Sequence, residues 1–180
     1  LDNGKVQRLF YISPMFRYAR PQKGRLRQHT QLGAEIFGSP DAFADVDIMV
    51  AATHFLRALG LKGVELRLNS LGDEASRVAY RDALSEFLAP IEGLCPDCQE
   101  RRKTNPLRVL DCKNEKCREL IKGAPKLSDF LTEEAATRFQ TVQTQLRKHD
   151  VEFTIDETLV RGLDYYCHTA CEFVTDALGA

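Results

Sequence analysis

Four of the chain's seven prolines and four of its six cysteines fall between residues 90 and 126. This stretch most constrains the fold. Pro90, Pro96, Pro106 and Pro125 forbid long helices or central strands there. From Glu100 to Lys126 there are nine Lys or Arg against four Asp or Glu. So short, polar and interrupted a stretch reads as a small inserted subdomain. The main core must then come from the residues before and after it.

Those flanking residues carry clear periodic signals. Arg8 to Ser13 reads as a strand, and His29 to Phe37 as its return, joined by a polar loop from Arg17 to Gln28 that contains Pro21 and Gly24. Asp45 offers an N-cap to a helix whose apolar positions are Val46, Met49, Ala52, Phe55, Leu56 and Leu59, with Gly60 as its stop. Val64, Leu66 and Leu68 alternate as a strand, and Asn69-Ser70-Leu71-Gly72 reads as a turn. Asp73 caps a helix to about Leu88. Thr132 to His149 reads as a helix, and Glu152 to Asp156 and Cys171 to Thr175 as strands.

The bulk properties exclude several classes. With 180 residues, 43% hydrophobic and 28% charged, the chain suffices for one sizeable core and a small satellite. Its formal net charge of −1 means that any nucleic-acid partner must be met by a local patch. No apolar run approaches a membrane span, and the first residues are not a signal peptide, so the expected compartment is the cytoplasm. Neither end reads as natural, and sequence is expected beyond each.

Two clusters carry chemistry. Arg17, Arg20, Lys23, Arg25 and Arg27 lie within eleven residues, with no acid from Phe16 to Ala34. A hairpin bearing such cations suits a polyphosphate, because the guanidinium fork pairs with two oxygens at once. It equally describes a solvated hairpin tip. Gln31 and Glu35, four apart on a strand, share a face. If Arg17 shares it too, a cation, an amide and a carboxylate converge as an amino acid requires; alone, the pair is an exposed polar stripe. The second cluster is Cys95-Pro96-Asp97-Cys98 and Cys112-Lys113-Asn114-Glu115-Lys116-Cys117, with thirteen residues between the pairs. That spacing fits a four-thiolate zinc site, and also four reduced cysteines in a small apolar cluster. Cys167 and Cys171 read as core or pocket-wall residues, His54 and His149 as structural or exposed.

Pro14 to Gln28, continuing through Gln31-Leu32-Gly33-Ala34-Glu35, resembles motif 2 of the histidyl-tRNA synthetases. Arg161-Gly162-Leu163-Asp164-Tyr165-Tyr166 resembles the histidine-specific motif of the same family. Asn69-Ser70-Leu71-Gly72 and Asn105-Pro106-Leu107-Arg108-Val109-Leu110-Asp111 are similar to further landmarks, in matching order along essentially the whole chain. The resemblance implies an α+β fold: a class II synthetase core, its antiparallel sheet flanked by helices, plus a small, mostly helical insertion. The implied division is core over 1–81, insertion over 82–150, core again over 151–180.

The implied reaction joins histidine and ATP, with Mg2+, into histidyl-adenylate and then passes the histidyl group to tRNA(His). The resemblance assigns Arg17 and Arg161 as catalytic cations. It assigns Arg17, Gln31, Glu35, Arg161, Tyr165 and Tyr166 to histidine, and Arg17 and Arg25 to ATP. It implies a homodimer for the whole protein, and contact between the basic insertion and the tRNA acceptor stem. Ala19 stands where Glu is common, His29-Thr30 where an aromatic and His are usual, and Cys171 where Phe is usual. Motifs 1 and 3, the later Gly-rich stretch and the anticodon-binding domain fall outside the sequence. Two other functions share this fold or composition. One is a regulatory or histidine-sensing paralogue, such as the regulatory subunit of ATP phosphoribosyltransferase; the other is a zinc-stabilised RNA-binding fragment.

Overall fold

The computed structural model describes residues 4–21, 25–159 and 166–176. Strands β1 (Gln7–Phe16) and β2 (Gln28–Phe37) form an antiparallel hairpin in which Gln7 faces Phe37 and Phe16 faces Gln28. Both strands are longer than the apolar runs alone predict, since ladder pairing continues through Pro14 to the loop. Beyond β1 the Arg17 N–H still donates to the Arg27 carbonyl at 2.8 Å. Helix α1 (Ala42–Ala58) follows. Its N-cap is Asp41, whose carboxylate accepts from the Phe43 N–H at 3.0 Å, and not Asp45. Asp45 lies one turn inside, where its carboxylate has other partners.

Strand β3 (Glu65–Gly72) runs through the predicted turn at Asn69–Gly72. The polar side chains there are satisfied internally: the Asn69 amide donates to the carbonyls of Glu157 (3.3 Å) and Leu159 (3.0 Å). Only Gly72, at φ +64°, turns the chain, and an added Cβ would fall 2.5 Å from that of Ser76. Helix α2 (Glu74–Leu88) starts on the predicted cap Asp73, which accepts from the Ser76 N–H at 2.8 Å.

The insert then folds as short helices broken at the prolines: α3 (Pro96–Thr104), α4 (Leu107–Leu110), α5 (Glu115–Leu120) and a 3-10 turn at Leu127–Phe130. Helix α6 (Glu133–Lys148) returns the chain, capped by Thr132. Strand β4 is only Thr154–Ile155, shorter than the alternation at 152–156 suggests. Strand β5 is His168–Val174. The second sheet has the order β4-β3-β5, with β5 antiparallel to β3 and β4 parallel to it. Parallel pairing follows from the long crossover through α6, which brings the chain back to the end from which β3 started.

Two large apolar cores result, beside a small cluster of Leu71, Leu159 and Ala170. One joins Ala42, Val46 and Met49 of α1, Leu66 and Leu68 of β3, Val142 and Leu146 of α6, and Val151. The other joins Tyr80, Leu84 and Leu88 of α2 to Leu94, Cys98, Val109, Cys112, Cys117, Ile121 and Leu127. Thus α6 packs on α1, while the far half of α2 packs on the insert. Among the described residues no helix is long and apolar enough to cross a membrane.

Asp73 also accepts a short hydrogen bond from the Thr132 hydroxyl, and the Thr132 N–H donates to Ser76 Oγ at 2.9 Å. Hydrogen bonds from Thr132 and from Ser76 hold the Asp73 carboxyl down to about 2. A carboxylate depressed in the fold stabilises above its unfolded value and loses that contribution as pH falls through the folded one. Asp73→Ala in the full-length protein should therefore cost about 1 kcal/mol near neutrality, on the scale of a lost helix cap. Its destabilisation should shrink as pH falls from about 4 to about 2, measured by urea unfolding at each pH.

Candidate functional site

The hairpin register decides which side chains meet. Directly opposed residues of an antiparallel pair project to the same side, and alternate residues share a face. Leu9 faces Glu35, Tyr11 faces Gly33, Ser13 faces Gln31 and Met15 faces His29, with Arg17 bonded across to Arg27 as the next step. Arg17, Gln31 and Glu35 therefore lie on one face. The opposite face carries Phe10, Ile12 and Phe16, each more than 65% exposed.

Tyr11, which spacing alone leaves unnoticed, organises the middle of the polar face. Its ring crosses Gly33 so closely that a Cβ there would come within 2.2 Å of it. Its hydroxyl accepts from Gln31 Nε2 at 2.7 Å, which fixes the amide. An aromatic opposite a glycine, at even spacing from Arg17, is the signal that could have found it. Two buried nitrogens on this face, Arg17 Nε and His29 Nδ1, have no hydrogen-bond partner among the described residues. Such groups are costly unless something polar reaches them.

Arg25 is exposed, beyond β1. Arg27 is exposed too, and its Nε donates to the Ala19 carbonyl at 3.3 Å, bracing the chain across the hairpin end. Arg161 and Tyr165 lie outside the described residues. Tyr166 is 44% exposed, and its carbonyl accepts from Arg77 Nη1 of α2 at 2.8 Å. Cys167 is exposed and precedes β5, so it is not a core residue; Cys171 lies in β5 and packs against the core. His54 is exposed on α1.

A polar knot unseen in the sequence stands behind β5. Asp45 accepts from Arg138 Nη2 at 3.0 Å and from the Thr169 hydroxyl at 2.9 Å. His168, at φ +60°, starts β5 beside it. Burial, and then the Arg138 cation, push its imidazole below the ordinary value.

The paired cysteines come together. The sulfurs of Cys95, Cys98, Cys112 and Cys117 all lie within 4.8 Å of one another, and Cys98, Cys112 and Cys117 are buried. Cys95 and Cys98 bracket the start of α3; Cys112 follows α4 and Cys117 sits in the first turn of α5, which Asn114 caps. The Cys95 N–H points at Cys117 Sγ, 3.1 Å away. No disulfide joins them.

With this geometry, comparison with known proteins is direct. The sequence profile described as histidyl-tRNA synthetase matches residues 1–179. A histidine–tRNA ligase of Streptococcus pneumoniae (strain 70585) is 48% identical over 176 residues, which are 97% of this chain and 41% of that one. The histidine–tRNA ligase of Geobacillus thermodenitrificans is 49% identical over 173 residues, 96% of this chain and again 41% of the relative. The apo crystal structure of the Staphylococcus aureus histidyl-tRNA synthetase superposes with a TM-score of 0.72 at 38% identity, over 92% of this chain and 38% of that one. A Bacillus halodurans C protein, described as an ATP phosphoribosyltransferase regulatory subunit/histidyl-tRNA synthetase, superposes at 0.57 with 20% identity over 96% of this chain and 49% of that one, a likeness of fold alone.

The fold is that of a class II aminoacyl-tRNA synthetase. Within that class, the chain belongs to the histidyl-tRNA synthetase family, and it spans about 41% of the length of the relatives it matches.

Gly33→Ala should force the Tyr11 ring aside and break its bond to Gln31, at a cost of about 1 kcal/mol, the scale of one lost side-chain hydrogen bond. The same substitution in a Tyr11→Ala background should cost markedly less, as a double-mutant cycle by urea unfolding will read.

Proposed function

We propose that the whole protein of which this chain is part is a histidine–tRNA ligase, and that the β1–β2 hairpin holds its histidine and ATP. The observation that carries this reading is the register that aligns Arg17, Gln31 and Glu35 on one face, with buried nitrogens of Arg17 and His29 that have no partner among the described residues. The 48% identity to ligases, set against 20% to the protein described as a regulatory subunit, favours the enzyme over a histidine-sensing paralogue.

In this reading a carboxylate oxygen of histidine attacks the α-phosphorus of ATP, the bond to the β-phosphate oxygen breaks, and pyrophosphate leaves. The tRNA terminal hydroxyl then attacks the activated carbonyl and AMP leaves. Negative charge must approach an already anionic phosphorus, so fixed cations are the main device. Arg17 bridges the α-phosphate and the histidine carboxylate. Arg161 is the second catalytic cation and stays charged at any working pH. Arg25 meets the outer phosphates. Glu35 accepts from the ligand's ammonium or imidazole N–H, and Gln31, held by Tyr11, reads another polar edge. Tyr165 and Tyr166 wall the imidazole.

Mg2+ belongs to the reaction as the companion of ATP. The described residues offer no oxygen-donor cluster for it: their only group of three or more metal-binding side chains is the cysteine set. No step here is therefore assigned to a protein-held Mg2+. The cysteines take no part in the chemistry; the ion that fits them is structural. We further place the insertion at 82–150 between core segments 1–81 and 151–180, with α6 as the arm that packs back on the core. Its cations meet the acceptor stem. The whole protein works in the cytoplasm as a homodimer.

Histidine-dependent ATP–pyrophosphate exchange on the full-length protein tests the reading. Exchange should be robust, and should fall by about two orders of magnitude or more in Arg17→Ala and in Arg161→Ala, as for loss of a charge-stabilising group. Glu35→Gln should raise the histidine requirement more than the ATP requirement. Histidine binding without exchange in the unaltered protein would overturn the ligase and favour a sensor.

A further inference from the structure

We propose that Cys95, Cys98, Cys112 and Cys117 hold one zinc ion in a closed, four-thiolate structural site. Tetrahedral zinc with Zn–S bonds of about 2.3 Å sets its sulfurs about 3.8 Å apart along every edge. Here the sulfurs of Cys95 and Cys112 are 3.9 Å apart and all four lie within 4.8 Å of one another. The quartet thus needs to close by less than about 1 Å to grip the ion. A disulfide would need a sulfur–sulfur distance near 2 Å and would satisfy only two of the four.

The backbone already serves one sulfur of the set as it would serve a metal-bound thiolate. Cys95 and Cys98 bracket the first turn of α3. The Cys95 N–H donates to Cys117 Sγ at 3.1 Å. Main-chain N–H groups aimed at sulfur are the usual second layer around a metal-bound thiolate, orienting it and spreading its charge. Zinc with four thiolates carries a net charge of −2. The excess of nine cationic over four anionic residues in Glu100–Lys126 supplies the offset.

The site is closed. Three of its four sulfur-bearing residues are buried in one apolar core with Leu88, Leu94, Val109 and Ile121, and no fourth position remains for water or substrate. The ion therefore folds the insert and does no chemistry. It also supplies what the sequence there lacks. Helices of 9, 4 and 6 residues are too short to persist without an anchor, and the four ligands tie α3, the end of α4 and α5 together.

Elemental analysis of the full-length protein, purified without added metal or chelator, tests the site. One zinc per chain is expected. Replacing it with cobalt should give intense visible bands of a tetrahedral ion together with thiolate-to-cobalt charge transfer. Cys98→Ser and Cys112→Ser should each lose the metal, whereas Cys167→Ser should keep it. Stripping zinc should open the 90–126 segment to proteolysis. Iron in place of zinc, a weak octahedral cobalt spectrum, or folded metal-free protein whose four thiols react with a thiol probe as fast as Cys167 would each overturn the proposal. Because metal content is read independently of pyrophosphate exchange, this proposal and the ligase reading fail separately.

Discussion

Strand β3 is bonded along both edges, by β5 on one side and β4 on the other, and six of its eight residues are buried. A strand so enclosed must satisfy its polar groups with protein. Leu66 and Leu68 meet the α1–α6 core, while Asn69 turns its amide to the carbonyls that follow β4. The strand therefore fixes where α1 and α6 lie, where residues 156–159 pass, and where α2 departs. β5, which follows directly on the histidine-motif residues, takes its register from the same strand. Tyr166, just before β5, is held by that register and by Arg77 of α2.

Much of this was legible beforehand, for local reasons. Asp73 and Thr132 cap the helices that their positions predict, because an N-cap acts within three residues. The face shared by Gln31 and Glu35 follows from period two. The cysteine pairs assemble as their spacing suggests. What was not legible depends on partners far along the chain. Asn69-Ser70-Leu71-Gly72 reads as a turn because its composition is turn-like, yet carbonyls 88 and 90 residues away make a buried strand of it. Asp45 reads as a cap, but Arg138 and Thr169, 93 and 124 residues away, claim its carboxylate, and Asp41 caps instead. Whether Arg17 joins Gln31 and Glu35 could not be settled without the register, which Tyr11 packed across Gly33 helps to pin.

The hairpin and the insert solve opposite problems. On the hairpin, the face that carries Arg17 keeps buried nitrogens that have no partner among the described residues, while Arg27 braces the chain on the Ala19 carbonyl. The insert must fold with few apolar residues. It concentrates them, cysteines included, in one small core, and Arg102 ties that core to the carbonyls of Leu88, Ala89 and Ile91 at the end of α2. Fixed geometry is needed in both, supplied by register in the first and by side-chain convergence in the second.

The contact between Asp73 and Thr132 has a consequence for how such a chain can change. These residues are 59 apart in sequence, yet hydrogen-bonded through side chains, with Ser76 completing the clasp. Everything between them leaves and re-enters the core at a single point. The entropy of closing a loop grows only with the logarithm of its length. Lengthening or trimming the insert thus adds little to the cost of closing the loop, so long as the clasp forms. The core can keep its chemistry while the appended part varies in size and charge to suit whatever lies against it.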